Sequence, residues 1–147
     1  MISNKRGLSE VVTTLIIILL VLVAIGIVWA VVSNILQTGS EQTEISAKCL
    51  QVGVKATAAS CTAGACSVTY KRSAGGDDID GVVIILSNGQ DSVQKDVAGN
   101  LAVQQTRTET GITETLTPDP NSVEVAAYFT DASGNQQLCA TIGTFEF

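Results

Sequence analysis

The chain contains no histidine. The side chain that most often acts as a general base near neutral pH is therefore missing, and a Ser-His-Asp arrangement cannot be built. Zinc loses its usual nitrogen ligand, and none of the four cysteines belongs to a C-x-x-C pair. No Walker or dinucleotide glycine loop occurs, so nucleotide phosphates have no ready cradle. The sequence also lacks an Asn-x-Ser/Thr sequon, which argues against N-linked sugar. Positive charge is scarce: 8 Lys and Arg stand against 14 Asp and Glu. With no Lys/Arg-rich patch and no aromatic-basic interleaving, the chain is not expected to take a nucleic-acid partner, because an acidic surface repels phosphate backbones. Nothing in this set places catalytic residues or calls for a cofactor, and no enzyme is expected.

The longest absence is of charge. Residues 11–37 carry none, and most of them are Val, Ile, Leu and Ala. As an α-helix, residues 11–36 would run roughly 39 Å at 1.5 Å per residue. A bilayer core is about 30 Å thick, so this segment spans with tilt or projects beyond it. Its polar members are Thr13, Thr14, Ser33 and Asn34. Apolar side chains surround the whole circumference, which excludes an amphipathic surface helix. Such a helix requires apolar surroundings on every side, whether lipid or other helices. Lys5 and Arg6 precede the run, and Glu41 and Glu44 are the first charges after it. Positive flanks stay cytoplasmic, so the rest of the chain is expected outside the membrane. The run exceeds the 7–15 residues of a signal-peptide core and no small-x-small site closely follows it. Any cleavage is expected ahead of the run.

The residues at that point carry a resemblance. Lys5-Arg6-Gly7, then Leu8-Ser9-Glu10-Val11-Val12 and the long apolar helix, resemble the start of an archaeal type IV pilin. In that family a prepilin peptidase cuts between the basic-Gly leader and the helix. The resemblance thus implies a cut between Gly7 and Leu8. Residues 1–7 would be a leader, 8–39 the hydrophobic helix, and 40–147 an extracellular β domain. It implies a precursor inserted in the membrane and an assembly machinery there. The product would be a surface filament: a helical homopolymer of identical subunits, joined through the N-terminal helix. Adhesion is the expected use. Motility stays open, since archaellins share the plan, and a minor pilin would read alike. A single-span, membrane-anchored binding module is the alternative from another class.

Three residues of the helix bear on assembly. Glu10 at the helix start can sit solvated at headgroup level, favoured by the helix dipole. Alternatively it pairs with a neighbour's free amine, as an acid at the fifth mature position does in bacterial pilins; here the acid would be third. Gly26 and Ala30 form one small-xxx-small spacing, which permits close approach of a neighbouring helix.

The remaining residues, 38–147, hold thirteen acids and six bases, a charge of −7. Solubility is the plain reason for that charge. This is enough chain for one core. Gln37-Thr38-Gly39-Ser40 reads as a short hinge, with Gly39 able to stop the helix, while residues 41–46 fit either one more helical turn or the start of the first strand. Leu50, Val52, Val54 and Ala56 alternate with Gln51, Gly53 and Lys55, which predicts a strand with one buried face. Strands are also expected over residues 67–72, 82–86, 92–97, 101–110, 112–117, 123–130 and 137–147. Asn88-Gly89 marks a hairpin, and Ala74-Gly75-Gly76-Asp77-Asp78 a turn. Residues 101–117 read as a hairpin about Gly111. Short strands at such spacing predict an antiparallel β-sandwich, immunoglobulin-like, giving an α+β chain.

Four cysteines allow three pairings, and disulfides are expected outside the membrane. The favoured set is Cys61–Cys66, stapling a short loop, and Cys49–Cys139, tying the first strand to the last. Asp77, Asp78 and Asp80 resemble the start of a calcium loop. The glutamate required at its twelfth position is missing, so a solvated turn is expected. Asp131 and Asn135 read the same way. Thr106, Thr108 and Thr110 alternate, as do Thr113, Thr115 and Thr117. Period two places each set on one face of a strand. An exposed β face explains them through propensity; a hydroxyl-rich surface for O-glycans or adhesion is the sharper hypothesis.

Overall fold

The computed structural model describes residues 4–73 and 75–147, with side chains of the first helix from residue 7 onward. Residues 1–3 of the expected leader, the side chains of Lys5 and Arg6, and Ala74 of the expected turn lie outside that description. The chain divides into two compact units, Met1–Ser40 and Glu41–Phe147.

Helix α1 spans Asn4–Gln51. No proline interrupts it, and its apolar run is made of strong helix formers and β-branched residues that pack well in apolar surroundings. Its hydroxyl groups are satisfied locally: Thr13 donates to the Ser9 carbonyl at 2.8 Å, and Ser33 to that of Trp29 at 2.8 Å. Bonds of this kind let a polar side chain sit in an apolar helix. The helix does not stop at Gly39, as the hinge reading had it. A mid-helix glycine costs about 1 kcal/mol against alanine. That deficit is offset beyond it, where Glu44 pairs with Lys48 at 3.0 Å and Ile45 and Cys49 pack against the core of the second unit. The expected strand around Leu50 and Val52 is displaced for the same reason. Leu50 lies in the last helical turn and is 90% exposed, and the strand begins at Val54.

The second unit continues with β1 (Val54–Thr62), β2 (Ala65–Arg72), β3 (Gly81–Ser87), β4 (Ser92–Ala98), β5 (Thr106–Thr113), β6 (Ser122–Thr130), β7 (Gln136–Leu138) and β8 (Thr144–Glu146). They form two open antiparallel sheets. One has the order β1-β2-β5; the other has β4-β3-β6-β7, with β8 also paired to β6. Alternation decides which side chains meet between the sheets. Val54, Val68, Tyr70 and Ile112 come from the first, and Ile84, Leu86, Val123, Val125 and Phe129 from the second. The strand order is that of an immunoglobulin-like sandwich: hairpins β1–β2 and β3–β4, then crossings between sheets. The turn after β3 follows the sequence: Gly89 takes φ +87°, and Asn88 Oδ1 accepts the amides of Gln90 and Asp91.

Residues 101–117 are not a hairpin. Gly111 lies inside β5 at φ +68°, beside a register shift between Cys66 and Val68 on β2. Its positive φ forms a β-bulge rather than a reversal. The final strand is split in two, with β7 and β8 pairing opposite ends of β6.

Candidate functional site

Two surfaces gather the residues singled out by the sequence. The first is the apolar length of α1. Gly7 and Leu8 are helical, and Leu8, Glu10, Gly26 and Ala30 are exposed along it. Glu10 lies one turn below Thr14, whose hydroxyl donates to the Glu10 carbonyl at 3.0 Å. A Cβ added at Gly26 would meet nothing within 4 Å, so that face is open to a close neighbour. Val21, Ala24, Ile25, Val28, Trp29 and Val32 line one apolar groove on the helix. Trp29, the only tryptophan, escaped the sequence reading. Its signal was a large amphipathic ring near the distal end of the charge-free run. By length and composition α1 is able to cross a membrane.

The second surface is the outer face of the three-stranded sheet. On β5 it carries Thr106, Thr108, Thr110 and Thr113, and Thr115 and Thr117 follow beyond the end of the strand; all six are exposed. Thr110 and Thr113 are three residues apart, so a regular strand would turn them to opposite sides. The bulge at Gly111 inserts one residue and restores the phase. Ile112, Glu114 and Leu116 consequently point inward while the threonines point out. The array also crosses strands, since the Thr69 and Thr108 hydroxyls lie 2.8 Å apart.

Disulfides hold both ends of this unit. Cys61 and Cys66 are direct register partners across the β1–β2 hairpin and are bonded to each other. Cys49, in α1, is bonded to Cys139 just after β7, across a sequence separation of 90 residues. A groove of about 340 Å³ beside this second cystine is lined by Gln42, Ile45, Ser46, Gln137 and Leu138, among others, and by no ionisable side chain.

The acidic turns are engaged with backbone. Asp80 Oδ2 accepts the Thr130 amide at 2.6 Å, and Asp77 lies 3.8 Å from the Lys48 ammonium. Asp131 accepts the Asn135 amide at 2.8 Å and the Ser133 amide at 2.9 Å. The Asn135 bond, ahead of the others, holds the Asp131 carboxyl below its ordinary range. Among the described residues no three His, Cys, Asp or Glu side chains converge as a metal site would require.

Arg72 and Glu114 are the buried polar residues that the sequence did not single out; Glu114 Oε2 accepts the Leu116 amide at 2.8 Å, and Arg72 is the more deeply placed. Arg72 is 1% exposed, and the hydrogen bonds of its guanidinium go to carbonyls alone. Nη1 donates to Leu101 at 2.8 Å, and Nη2 to Asp77 at 2.6 Å, with Gly75 and Gly76 also in range. A buried guanidinium bound this way gathers two loops around one charge, an architectural role. No family model matches the chain, and no curated protein matches it.

Proposed function

We propose that the chain is the repeating subunit of an archaeal type IV pilus-like surface filament, structural rather than catalytic and adhesive in use. The observation that carries this reading is the apolar helix exposed on every side beside a unit that closes its own core. In the precursor the helix would lie in the membrane with the β unit outside. Trp29 then falls roughly 27 Å along the helix from Val11. That is close to the far interface of a bilayer about 30 Å thick, where tryptophan is favoured. After cleavage between Gly7 and Leu8, identical helices would replace lipid around one another. Lipid and a bundle of Leu, Ile and Val are about equally apolar, so packing, not hydrophobic transfer, must favour the bundle. The assembly machinery implied by the resemblance would supply the work of extraction. The exposed threonines would form part of the outer wall and serve adhesion or carry O-glycans.

Electron microscopy of purified surface fibres, with peptide identification and N-terminal sequencing, tests the proposal. Fibres built of this chain and beginning at Leu8 are expected. Single membrane-bound molecules beginning at Met1 would instead make it an anchored binding module.

A further inference from the structure

The two broad faces of the sandwich carry opposite charge. On the three-stranded sheet, Val54, Tyr70 and Arg72 point to the core, so Lys55 and Lys71 between them point away from it. They are direct cross-strand partners, and Lys71 is in turn opposite Thr106. Arg107 and Glu109 pair with Tyr70 and Val68, which puts them on the inward side. The outward face of these strands therefore presents two lysines and no carboxylate. Among the described residues neither lysine has an acid within salt-bridge distance; the ion pairs there belong to Lys48.

On the five-stranded sheet, Val82, Ile84 and Leu86 point to the core. Val83, Ile85 and Ser87 therefore lie on the outer side together with their partners, although Val83, Ala126 and Tyr128 on that side are themselves covered. Asp96 pairs with Val83, Glu124 with Ile85, and Glu146 with Ser122, itself the partner of Ser87. Lys95 is the partner of inward Ile84. The outward face of these strands presents three carboxylates and no cation.

Each face also carries its own like-charge conflict. Lys55 and Lys71 stand directly opposite, and Glu124 and Glu146 are diagonal neighbours on paired strands. Like charges so placed are locally unfavourable. Bringing the lysine face of one copy onto the carboxylate face of another relieves both conflicts at once. Because the two surfaces differ, the contact is heterologous. Repeated, such a contact extends into an open helical polymer unless its rotation closes a ring.

We propose that the β units of successive copies dock through these faces, Lys55 and Lys71 of one copy against Asp96, Glu124 and Glu146 of the next. The proposal rests on the filament reading and adds a second contact to it, outside the helical core. Such a contact chooses the neighbour and its register more than it adds affinity. It weakens as salt shortens the Debye length, about 8 Å at physiological ionic strength.

The test uses protein carrying its whole helix and β unit from Leu8 onward, prepared as an equal mixture of ¹⁴N and ¹⁵N chains and assembled into fibres. A water-soluble carbodiimide then joins lysines to carboxylates in contact, and mass spectrometry reads the linked peptides. Lys48–Glu44 links within one chain are the internal control. Mixed-isotope links from Lys55 or Lys71 to Asp96, Glu124 or Glu146 are expected. The Lys55→Glu, Lys71→Glu variant has no amine at either position and serves as the blank that identifies these linked peptides. In the Glu124→Lys, Glu146→Lys background, that same variant should regain mixed-isotope links with the charges exchanged. Fibres that form normally while Lys55 and Lys71 give no mixed-isotope links would overturn this contact and leave the filament reading standing. Capture of these lysines by an acidic polymer from the cell surface, in place of another copy, would overturn it equally. Absence of fibres from the cell surface would strike the filament reading itself, and mixed-isotope links in detergent would then support the contact independently.

Discussion

The two units treat apolar side chains in opposite ways. Val68, Ile84, Leu86, Leu101 and Val123 of the second unit are 0% exposed, whereas Leu15, Leu22, Ile25 and Trp29 of the first are all more than half exposed. Full burial of one large aliphatic side chain contributes about 1.5–3 kcal/mol. The helix carries twenty exposed large hydrophobics from Leu8 to Leu36, so leaving it in water would forgo tens of kcal/mol. One unit completes its core within a single chain. The other needs lipid or further helices to complete its surroundings. Closing a core and finding apolar surroundings are thereby separated along the sequence, and substitutions should divide the same way.

The largest expected effect falls on the closed unit. Cys49→Ala with Cys139→Ala opens a loop of 90 residues. The chain-entropy relation gives about 4–5 kcal/mol as the upper loss of stability. A denaturant titration followed by tryptophan-independent circular dichroism of the β signal should show the midpoint fall. Membrane insertion of the helix should stay unchanged. An intermediate effect, confined to the other unit, is expected from Ile25→Asp. A carboxylate at the centre of a spanning helix costs about 2.5–3.5 kcal/mol. Insertion measured by carbonate extraction should drop, while the β unit keeps its melting profile.

The smallest effect is local and pH-dependent. The Asp131 carboxyl titrates below its ordinary value of 3.8 because amide donors, Asn135 first, favour the charged form. Its contribution is therefore present above the unfolded value and is lost as pH falls through the lower folded value. Hydrogen exchange at Ser133 and Asn135, measured against the unstructured-chain rate at each pH, should quicken below about pH 4, with no matching change in the apolar helix. Equal acceleration in Asp131→Asn at all pH values would tie the effect to this side chain.

What the sequence made legible was the part governed by local pattern. An uncharged run longer than a bilayer is thick reads as an all-round apolar helix, and it is one. The apolar block within Gly81–Ser87 reads as a central strand, and β3 is flanked by β4 and β6. Three features depended on contacts distant in sequence. The helix outlasts Gly39 because Ile45 and Cys49 find the sandwich core. Gly111 offers the same positive φ to a hairpin or to a bulge, and only the partner strand β2 decides between them. Lys71 and Arg72 are adjacent and alike in charge, yet one faces water and the other is buried. Carbonyls from two loops, at Leu101 and at Gly75 to Asp77, determine that difference, and no spacing announces it. The threonines were legible as exposed, but the phase that keeps Thr110 and Thr113 on one side was hidden in the bulge.

The central claim is that the apolar helix ends up surrounded by copies of itself. All cysteines among the described residues are disulfide-bonded, so a nitroxide attached through Ile25→Cys would report from that position alone. Packed helices lie about 8–10 Å apart, close enough for strong dipolar broadening between labels on neighbouring copies. The account predicts that broadening in purified fibres, and its loss when labelled chains are diluted with unlabelled ones. A sharp, isolated-spin spectrum from undiluted material would contradict it.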